Sequence, residues 1–339
     1  MGNLRDKSHW VGFDLGGTKM LAVVFDNELK MLGRKRKRTR GEQGAKLGVD
    51  RIVRAVTQAL EDAKIDPDQL DGIGVGVPGP VDLESGTVLE AVNLGWKNVR
   101  LQESLEDALH CPATILNDVD AGVYGENQMG AAKNARTVLG VFPGTGIGGG
   151  CVYDGQIVRG KHISAMEIGH MEVTHMGNFC GCGRRGCLEA EASRLAISAE
   201  VAKAAYRGEA PYLRERVGTD VAEIRSGVLA DAVKNGDRIV EEIIRTAARK
   251  IGIAVANVVH FVCPDTVVLG GGLVEAMPEL IVEEVYNSAN SRVMPSYVGS
   301  FKVVAGELGD YSTVIGAAAW TRSVVQKRLQ GSATSAPDR

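Results

Sequence analysis

The sequence predicts an α/β protein of two domains, in which one βββαβαβα unit occurs twice and the second copy carries an insertion. Its 339 residues are about twice the length of a typical domain. A strand, a glycine-rich turn and a returning strand open the chain, and the same order begins again at residue 137. In each half a later buried strand runs into a second glycine cluster, but the second half is longer and contains three closely spaced cysteines.

The composition is that of a soluble globular protein and excludes several classes of function. Hydrophobic residues make up 44% of the chain and charged residues 24%, which is enough apolar mass for packed cores. The net charge of −3 provides no field that would recruit nucleic acid or an anionic membrane. The 43 glycines are an unusually large number, and they predict loops whose backbone approaches a ligand closely.

Targeting signals are not evident. The first residues lack the apolar segment of a secretory signal, and no apolar run reaches the roughly 18 residues that could span a bilayer. The chain begins Met-Gly, but Asp6 stands where a myristoylation signal has Ser or Thr. The six cysteines are too few for a disulfide scaffold. We therefore expect a protein of the reducing cytoplasm.

The elements of the first half follow from local patterns. Apolar and β-branched runs predict strands over residues 9–14, 20–26, 31–39, 71–77 and 113–116. Apolar residues at helical spacing predict helices over residues 48–64 and 101–109. The basic run of residues 34–40 (RKRKRTR) is interpreted as the solvated face of an edge strand rather than a nucleic-acid-binding patch.

The second half has the same order with longer helices. Strands are predicted over residues 137–142, 151–158 and 266–269, and helices over 190–207, 221–234, 236–262 and 314–330. We expect residues 1–118 with 312–330 to form the smaller domain and residues 119–311 the larger one, with a disordered tail over 331–339. Cys111, Cys151 and Cys263 are expected to be inert core residues.

The first glycine turn is a candidate phosphate-binding loop, with the sequence DLGGTK over residues 14–19. Gly16 and Gly17 lack the Cβ atoms that would keep a phosphate away from backbone N–H groups, while Thr18 adds a hydroxyl and Lys19 a cation. Glycine pairs also close ordinary hairpins, which is the alternative. The combination of an acid, two glycines, a threonine and a lysine favours phosphate.

The second glycine turn, PGTGIGGG over residues 143–150, matches G-x-G-x-x-G through Gly144, Gly146 and Gly149. A dinucleotide-binding loop must open a helix, but a strand is predicted to follow here. No Gly-x-x-x-x-Gly-Lys-Ser/Thr sequence occurs either. The turn therefore predicts a hairpin whose backbone N–H groups face an anion.

The cysteine cluster predicts a zinc site. His170, Cys180, Cys182 and Cys187 supply one imidazole and three thiolates, the closed tetrahedral set of a structural zinc ion. Interspersed glycines allow the chain to wrap around one ion. The alternative is three unrelated buried thiols and a core histidine, which does not explain their density. The site would anchor Glu167 and Glu189 on its two sides.

A carboxylate stands at the end of the strand predicted over residues 113–116. Asn117 and Asp118 follow that strand directly, and the carboxyl end of a strand in an α/β unit faces the ligand crevice. A general base near a hydroxyl is what phosphoryl transfer to an alcohol requires. The dipeptide is also common in ordinary turns, so its weight comes from the other motifs.

Seven segments, in order and across nearly the whole chain, resemble the ROK family. They are DLGGTK (14–19), VGVPGPVD (75–82), NLGW (93–96), LND (116–118), PGTGIGGG (143–150), EIGH (167–170) and CGCGRRGCLE (180–189). The resemblance implies the two-domain actin-like ATPase fold, which is ribonuclease H-like, of a family of sugar kinases and sugar-responsive repressors. Two positions depart from the family pattern: the family often has Asn at the position of Asp120 and Pro near Arg100. These departures concern local loop geometry and not the chemistry.

The resemblance also implies roles for individual residues. Asp118 is expected to be the general base, and Asp14 to hold Mg²⁺ through a water. The ATP phosphates are expected at Gly16, Gly17, Thr18, Lys19, Gly144, Thr145 and Gly146, with the nucleoside near Gly271 and Gly272. Sugar hydroxyls are expected to contact Gly79, Asn117, Asp118, Glu167, His170 and Glu189, with His170 using one ring nitrogen for the sugar and the other for zinc.

By this resemblance the protein phosphorylates the 6-hydroxyl of a hexose with ATP. D-glucose is the expected substrate because the Cys-x-Cys-Gly form of residues 180–183 is common in ROK glucokinases. N-acetylmannosamine, N-acetylglucosamine and fructose kinases of the family are alternatives. A ROK repressor would need a helix-turn-helix domain ahead of the first strand, where few residues stand. The alternative of a nicotinamide oxidoreductase is supported only by the G-x-G-x-x-G match. The expectation of a homodimer is supported only by the resemblance to the family.

Overall fold

The computed structural model describes residues 9–39 and 44–334, with side chains up to residue 330. The chain divides into two compact units. Unit 1 comprises the chain up to residue 133, residues 157–165 and the chain from residue 310 onward, and unit 2 comprises residues 134–156 and 166–309. No helix in the described part of the chain combines the length and apolarity needed to cross a membrane.

Strands and helices alternate along the chain. The strands are β1 (His9–Leu15), β2 (Lys19–Phe25), β3 (Met31–Arg38), β4 (Leu70–Val77), β5 (Val81–Asp82), β6 (Thr87–Ala91), β7 (Trp96–Arg100), β8 (Ala113–Asn117), β9 (Thr137–Pro143), β10 (Ile147–Tyr153), β11 (Gln156–Ile157), β12 (Thr266–Leu269) and β13 (Lys302–Ala305). The helices are α1 (Ala45–Ala63), α2 (Leu101–Leu109), α3 (Asp118–Met129), α4 (Leu188–Ala192), α5 (Arg194–Tyr206), α6 (Pro211–Val217), α7 (Ser226–Lys234), α8 (Arg238–Val262), α9 (Gly272–Ala276), α10 (Pro278–Asn290) and α11 (Ser312–Thr334).

Unit 1 is built on a five-stranded sheet with the order β3-β2-β1-β4-β8. The first three strands are antiparallel neighbours, while β4 runs parallel to both β1 and β8. Helix α1 buries Ile52, Val56 and Leu60, which lie at helical spacing in the same core as strand residues Phe13 and Val24. The strand ends at Leu15 and Asn117 therefore belong to one parallel edge, as the sequence predicts.

Helix α11 packs closely on unit 1 because small residues let backbones approach. A Cβ atom at Gly12 would lie 1.8 Å from the carbonyl oxygen of Val314, and one at Gly316 would lie 1.7 Å from that of Ala121. Both positions therefore exclude any side chain. The final helix is thus fixed against β1 and α3, in agreement with its predicted return to the N-terminal domain.

Unit 2 repeats the same sheet. Its order is β11-β10-β9-β12-β13, with β9 and β10 antiparallel and β12 parallel to both β9 and β13. The strand order matches that of unit 1 position by position, which agrees with the predicted duplication. The cysteine cluster and helices α4 to α8 occupy the long connection between β11 and β12.

The predicted domain boundary after residue 118 is displaced in the structure. Residues 119–133 belong to unit 1, and so do residues 157–165. Helix α3 stays with unit 1 because a Cβ atom at Gly125 would lie 2.2 Å from the carbonyl oxygen of Ser312, so the two backbones are in contact. This long-range contact leaves no mark on the local sequence pattern.

Several predicted elements have different bounds. The strand predicted from residue 151 begins at Ile147, inside the glycine turn. The helix predicted over residues 190–207 is interrupted at Ser193, whose hydroxyl accepts a hydrogen bond from the backbone N–H of Ala196 and caps α5. The helix predicted from residue 221 begins at Ser226. Helix α11 continues to Thr334, while the rest of the predicted tail lies outside the described residues.

The sequence patterns also missed a small sheet, β5-β6-β7, between β4 and α2. Its strands have two to five residues and follow Pro78 and Pro80, so no alternating pattern is long enough to indicate them. Trp96 and Leu94 anchor it in the core of unit 1.

Candidate functional site

The first glycine loop lies where β1 turns into β2. A Cβ atom at Gly16 would lie 2.8 Å from the carbonyl oxygen of Lys19, so the turn accepts only glycine there. Thr39 holds the loop from the neighbouring strand, because its hydroxyl donates to the carbonyl of Gly16 at 2.6 Å and its N–H donates to that of Thr18 at 2.9 Å. Thr18 and Lys19 are exposed. The loop is therefore rigid while its polar side chains remain available to a ligand.

Asp14 lies half-buried at the end of β1. The pKa of Asp14 is raised to about 7, chiefly by burial and then by the charges of Asp118 and Asp310, while Arg36 lowers it. Both burial and neighbouring negative charge disfavour the ionised form of Asp14. A cation near Asp14 would relieve it, which fits the expectation of a Mg²⁺ held here.

Arg36 and Asp310 beside Asp14 were missed by the sequence analysis. Arg36 donates to Asp310 at 2.8 Å, and both side chains line a small cavity with Asp14 and Lys19. The run 34–39 lies on the edge strand β3 and its side chains are mostly exposed, as predicted, and residue 40 lies outside the described residues. The contact joins segments far apart in the chain, so no local pattern could indicate it.

Asn117 and Asp118 join strand β8 to helix α3. The side-chain oxygen of Asn117 accepts from the backbone N–H groups of Val119 at 2.9 Å and Asp120 at 3.3 Å, so Asn117 is the N-cap of α3. Its amide nitrogen donates to the carbonyl of Gly79 at 3.3 Å. Three of the predicted sugar-contacting residues are therefore brought together in unit 1.

The carboxylate of Asp118 lies at the N-terminus of α3. One oxygen accepts from the backbone N–H of Val119 at 3.0 Å. Burial raises the pKa of Asp118 to about 6 even though this hydrogen bond lowers it. A carboxylate with a pKa near neutral is suited to accept a proton, because it is ionised at pH 7 and still basic.

The second glycine loop connects β9 to β10 in unit 2. Gly144 donates its N–H to the carbonyl of Gly146 at 2.8 Å, which closes the turn. Arg194, at the start of α5, donates its N–H to the carbonyl of Gly144 at 2.9 Å and its guanidinium to the hydroxyl of Thr145 at 3.0 Å. Arg194 was not predicted, although the Ser193 cap before it is a recognisable signal of a helix start.

Gly271 lies beside this loop. Its φ is 86°, in the left-handed region, and a Cβ atom there would lie 2.9 Å from the carbonyl oxygen of Pro143. Gly272 begins helix α9. The structure thus brings Gly271 and Gly272 next to residues 143–146, so the predicted nucleoside and phosphate residues of unit 2 are neighbours.

The four predicted zinc ligands converge. The nitrogen of His170 and the sulfurs of Cys180, Cys182 and Cys187 all lie within 4.8 Å of one another. The Nδ1 atom of His170 is 3.6 Å from the Cys180 sulfur, and the Cys182 and Cys187 sulfurs are 3.6 Å apart. Tetrahedral zinc–thiolate bonds of about 2.3 Å place sulfurs about 3.8 Å apart. The residues therefore fit zinc, with Nδ1 of His170 as the ligand and Nε2 left over.

Glu189 connects this cluster with the second glycine loop. One oxygen of Glu189 accepts from the backbone N–H of Ile147 at 3.0 Å, and the other is 3.9 Å from the Cys180 sulfur. A Cβ atom at Gly146 would lie 2.3 Å from the same carboxylate. Glu167 occupies the N-cap position of the 3₁₀ turn Ile168–His170 without a side-chain hydrogen bond to it, and its carbonyl accepts from the N–H of His170 at 3.0 Å. Among the predicted sugar residues of unit 2, Glu189 thus lies beside the predicted metal site, and Glu167 is linked to it through the backbone of His170.

The expectation for the other cysteines is partly wrong. Cys111 and Cys151 are buried, and burial raises the pKa of Cys111 to about 12, so both fit inert core residues. Cys263 is exposed. It ends helix α8 in a left-handed conformation with φ 48°, which places it on the surface instead of in the core.

A model of the ROK family matches residues 10–324 of the chain. The chain belongs to the ROK family. A glucokinase of Thermotoga maritima is 31% identical to it over 322 residues, covering 95% of this chain and 98% of the relative. A xylose repressor of Caldicellulosiruptor bescii is 32% identical over 262 residues, covering 77% of this chain and 65% of the repressor.

A solved structure extends this similarity. The ROK family glucokinase of Streptomyces griseus, in complex with glucose and AMPPNP, has a TM-score of 0.80 to this chain at 30% identity, covering 93% of this chain and 99% of that one. The family assignment therefore rests on sequence and on fold together.

Proposed function

We propose that this ROK protein transfers the γ-phosphoryl group of ATP to the 6-hydroxyl of a hexose, with D-glucose as the preferred substrate. The observation that carries the proposal is Asp118, a carboxylate at the carboxyl end of β8 with its pKa raised to about 6. The glucokinase of Thermotoga maritima matches nearly the whole chain, and the Streptomyces griseus structure holds both glucose and an ATP analogue. Both support ATP and glucose as the substrates, on the actin-like ATPase fold.

The reaction requires one proton acceptor and one phosphate cradle. Asp118 accepts the proton of the 6-hydroxyl as that oxygen attacks the γ-phosphorus, and the bond to the β–γ bridging oxygen breaks to release ADP. Backbone N–H groups of the two glycine loops, over residues 16–19 and 144–146, bind the phosphates, and Gly271 and Gly272 lie near the nucleoside. Asp14 would hold Mg²⁺ through a water, and the ion would supply neutralisation of phosphate charge.

Two sets of polar groups are the candidates for sugar recognition. Those of unit 1 are Gly79, Asn117 and Asp118, which are linked by hydrogen bonds or by sequence. Those of unit 2 are Glu167, His170 and Glu189, of which His170 belongs to the cysteine cluster and Glu189 lies beside it. Zinc at this cluster would be structural, because all four ligands come from the protein and no position is left for water. His170 would present Nε2 to the sugar.

The alternative functions are phosphorylation of a related sugar and regulation of transcription. N-acetylmannosamine, N-acetylglucosamine and fructose kinases share the family. A sugar-responsive regulator is the second candidate, because the xylose repressor of Caldicellulosiruptor bescii is 32% identical over 77% of this chain. Tight, sequence-specific retardation of sheared genomic DNA at moderate salt would favour it. A homodimer is part of the proposal, and light scattering of the purified protein tests it.

The experiment is an ADP-release assay with MgATP over glucose, mannose, fructose, N-acetylglucosamine and N-acetylmannosamine. We expect glucose to give the highest kcat/KM. ADP release that is highest with an N-acetylated sugar would move the protein to the alternative kinases, and none above the ATP-only background would contradict the kinase proposal.

A further inference from the structure

A buried ion pair beside the cysteine cluster has no part in the proposed chemistry. Glu191 on α4 accepts a hydrogen bond from the ammonium group of Lys250 on α8, and their side chains are only 4% and 26% exposed. Exposed ion pairs stabilise proteins little, but removing the partner of a buried carboxylate is strongly destabilising. Lys250 therefore helps to keep the buried carboxylate of Glu191 in its position.

The other oxygen of Glu191 reaches the cysteine loop. It accepts from the backbone N–H of Asn178 at 2.6 Å, and Thr174 donates to the same carboxylate from its side chain. A Cβ atom at Gly177 would lie 2.3 Å from this oxygen, so the loop backbone packs directly on Glu191. Segment 174–178, which leads into Cys180, is thus fixed by one carboxylate.

This segment is tied to the second arm of the loop as well. Gly186 donates its N–H to the carbonyl of Asn178 at 2.9 Å, and its own carbonyl accepts from Val173 at 2.9 Å and Thr174 at 3.3 Å. Cys187 follows Gly186 directly in the chain, and Glu189 lies two residues after Cys187. A displacement of segment 174–178 would therefore move the residues on both sides of the cluster.

Helix α8 provides a firm support for the pair. It spans 25 residues and buries Ile251, Val255 and Val259 in the core of unit 2. Lys250 projects from this helix, whereas α4 has only five residues and lies next to the cysteine loop. The chain of contacts thus runs from the core helix through Lys250 and Glu191 to the loop.

We propose that Lys250 and Glu191 are positioning residues, which fix the cysteine loop so that His170 and Glu189 are correctly placed for the sugar. This inference rests on the proposed sugar-binding role of those two residues. The described hydrogen bonds of Lys250 and Glu191 do not reach the glycine loops, and the cluster is linked to the second loop through Glu189, which accepts from the N–H of Ile147. Loss of the pair should therefore raise the sugar KM far more than the ATP KM.

The test compares Lys250→Met with a matched control, Arg245→Met. Arg245 lies on the same helix with a similar exposure of 29%, but it pairs with Glu284 and Glu241. We expect Lys250→Met to accelerate amide hydrogen exchange in segment 174–187 at least about tenfold and to raise the sugar KM by a similar factor. The kcat at saturating sugar and the ATP KM should stay within about threefold, and Arg245→Met should leave segment 174–187 unchanged.

A double variant distinguishes the loss of this specific contact from general unfolding. Glu191→Gln combined with Lys250→Met removes both charges and keeps an acceptor for the N–H of Asn178, so it should restore most of the lost protection. Unchanged exchange in Lys250→Met, equal acceleration in Arg245→Met, or an ATP KM that rises as much as the sugar KM would each overturn the proposal. Hydrogen exchange is independent of catalysis, so a parent protein inactive on every hexose would contradict the proposed function while the exchange data still decide the positioning of the loop.

Discussion

Replacing Asp118 with asparagine removes the proposed general base and preserves its shape. The side-chain oxygen of asparagine can still accept from the N–H of Val119, which is 3.0 Å from the carboxylate in the structure. The asparagine side chain cannot accept the hydroxyl proton, because an amide is not basic in this pH range. The expected effect is therefore on chemistry and not on the start of helix α3.

Two effects of this substitution are expected, one on turnover and one on stability. General-base catalysis contributes about 10²- to 10⁴-fold to rate, and we expect kcat to fall by that factor with the sugar affinity changed far less. The rise of the pKa of Asp118 from 3.8 to about 6 costs the folded state on the order of 1–3 kcal/mol at pH 8, where the group is ionised. Asparagine avoids this cost, so the Tm at pH 8 should rise by about 2–5 °C. The gain should shrink as the pH falls through about 6 towards 3.8, because the parent carboxyl then becomes protonated.

The assay pairs steady-state ADP release with thermal unfolding and sugar calorimetry. Asp120→Asn is the matched control, because Asp120 lies two residues further along α3, is buried and has no assigned role in the chemistry. The control should keep kcat within about threefold. An Asp118→Asn enzyme that turns over within threefold of the parent would remove Asp118 from the mechanism, and a lowered Tm would contradict the inferred burial cost.

Three further predictions concern pH, phosphate binding and metal. The kcat/KM of the parent for the sugar should rise with pH through an acid limb near 6, the raised pKa of Asp118 in the free protein, and a limb near 4 would contradict that value. Gly144→Val should raise the ATP KM at least about tenfold and leave sugar binding by calorimetry intact, since a Cβ atom there has only the carbonyl of Gly146 within 4 Å, at 3.9 Å. Gly146→Val should impair both ligands because its Cβ atom meets Glu189, and equal losses in the two variants would indicate a folding role for the loop. Cys182→Ala should lower the zinc content, measured by elemental analysis, well below one equivalent per chain and raise the sugar KM about 10- to 100-fold. A parent protein without zinc, together with a fully active variant, would show that the cysteines do not form a metal site.

Short local patterns were sufficient for part of the fold. The first strand–glycine–strand unit and the strand ending at Asn117 were predicted nearly to their bounds, because alternating apolar residues and glycine turns are local signals. The convergence of His170 with the three cysteines was also predicted, since metal-ligand spacing is local. The structure adds the ring nitrogen that faces the sulfurs, which no sequence pattern specifies.

The remainder depends on contacts between distant segments. Arg36 reaches Asp310, and Glu189 reaches Ile147, only after the chain has folded. The domain boundary was misplaced for the same reason, because α3 is held in unit 1 by its contact with α11. The break before α5 was missed although Ser193 is a good N-cap, because helical periodicity on both sides masks it.

We infer that the 6-hydroxyl of glucose receives the phosphoryl group from ATP with Asp118 as the base. The most direct test incubates the protein with glucose and MgATP and quantifies glucose 6-phosphate with a dehydrogenase specific for it. We expect one glucose 6-phosphate per ADP released, and a loss of turnover of about 10²-fold or more in Asp118→Asn. ADP released without glucose 6-phosphate, or equal product from the parent and the variant, would contradict it.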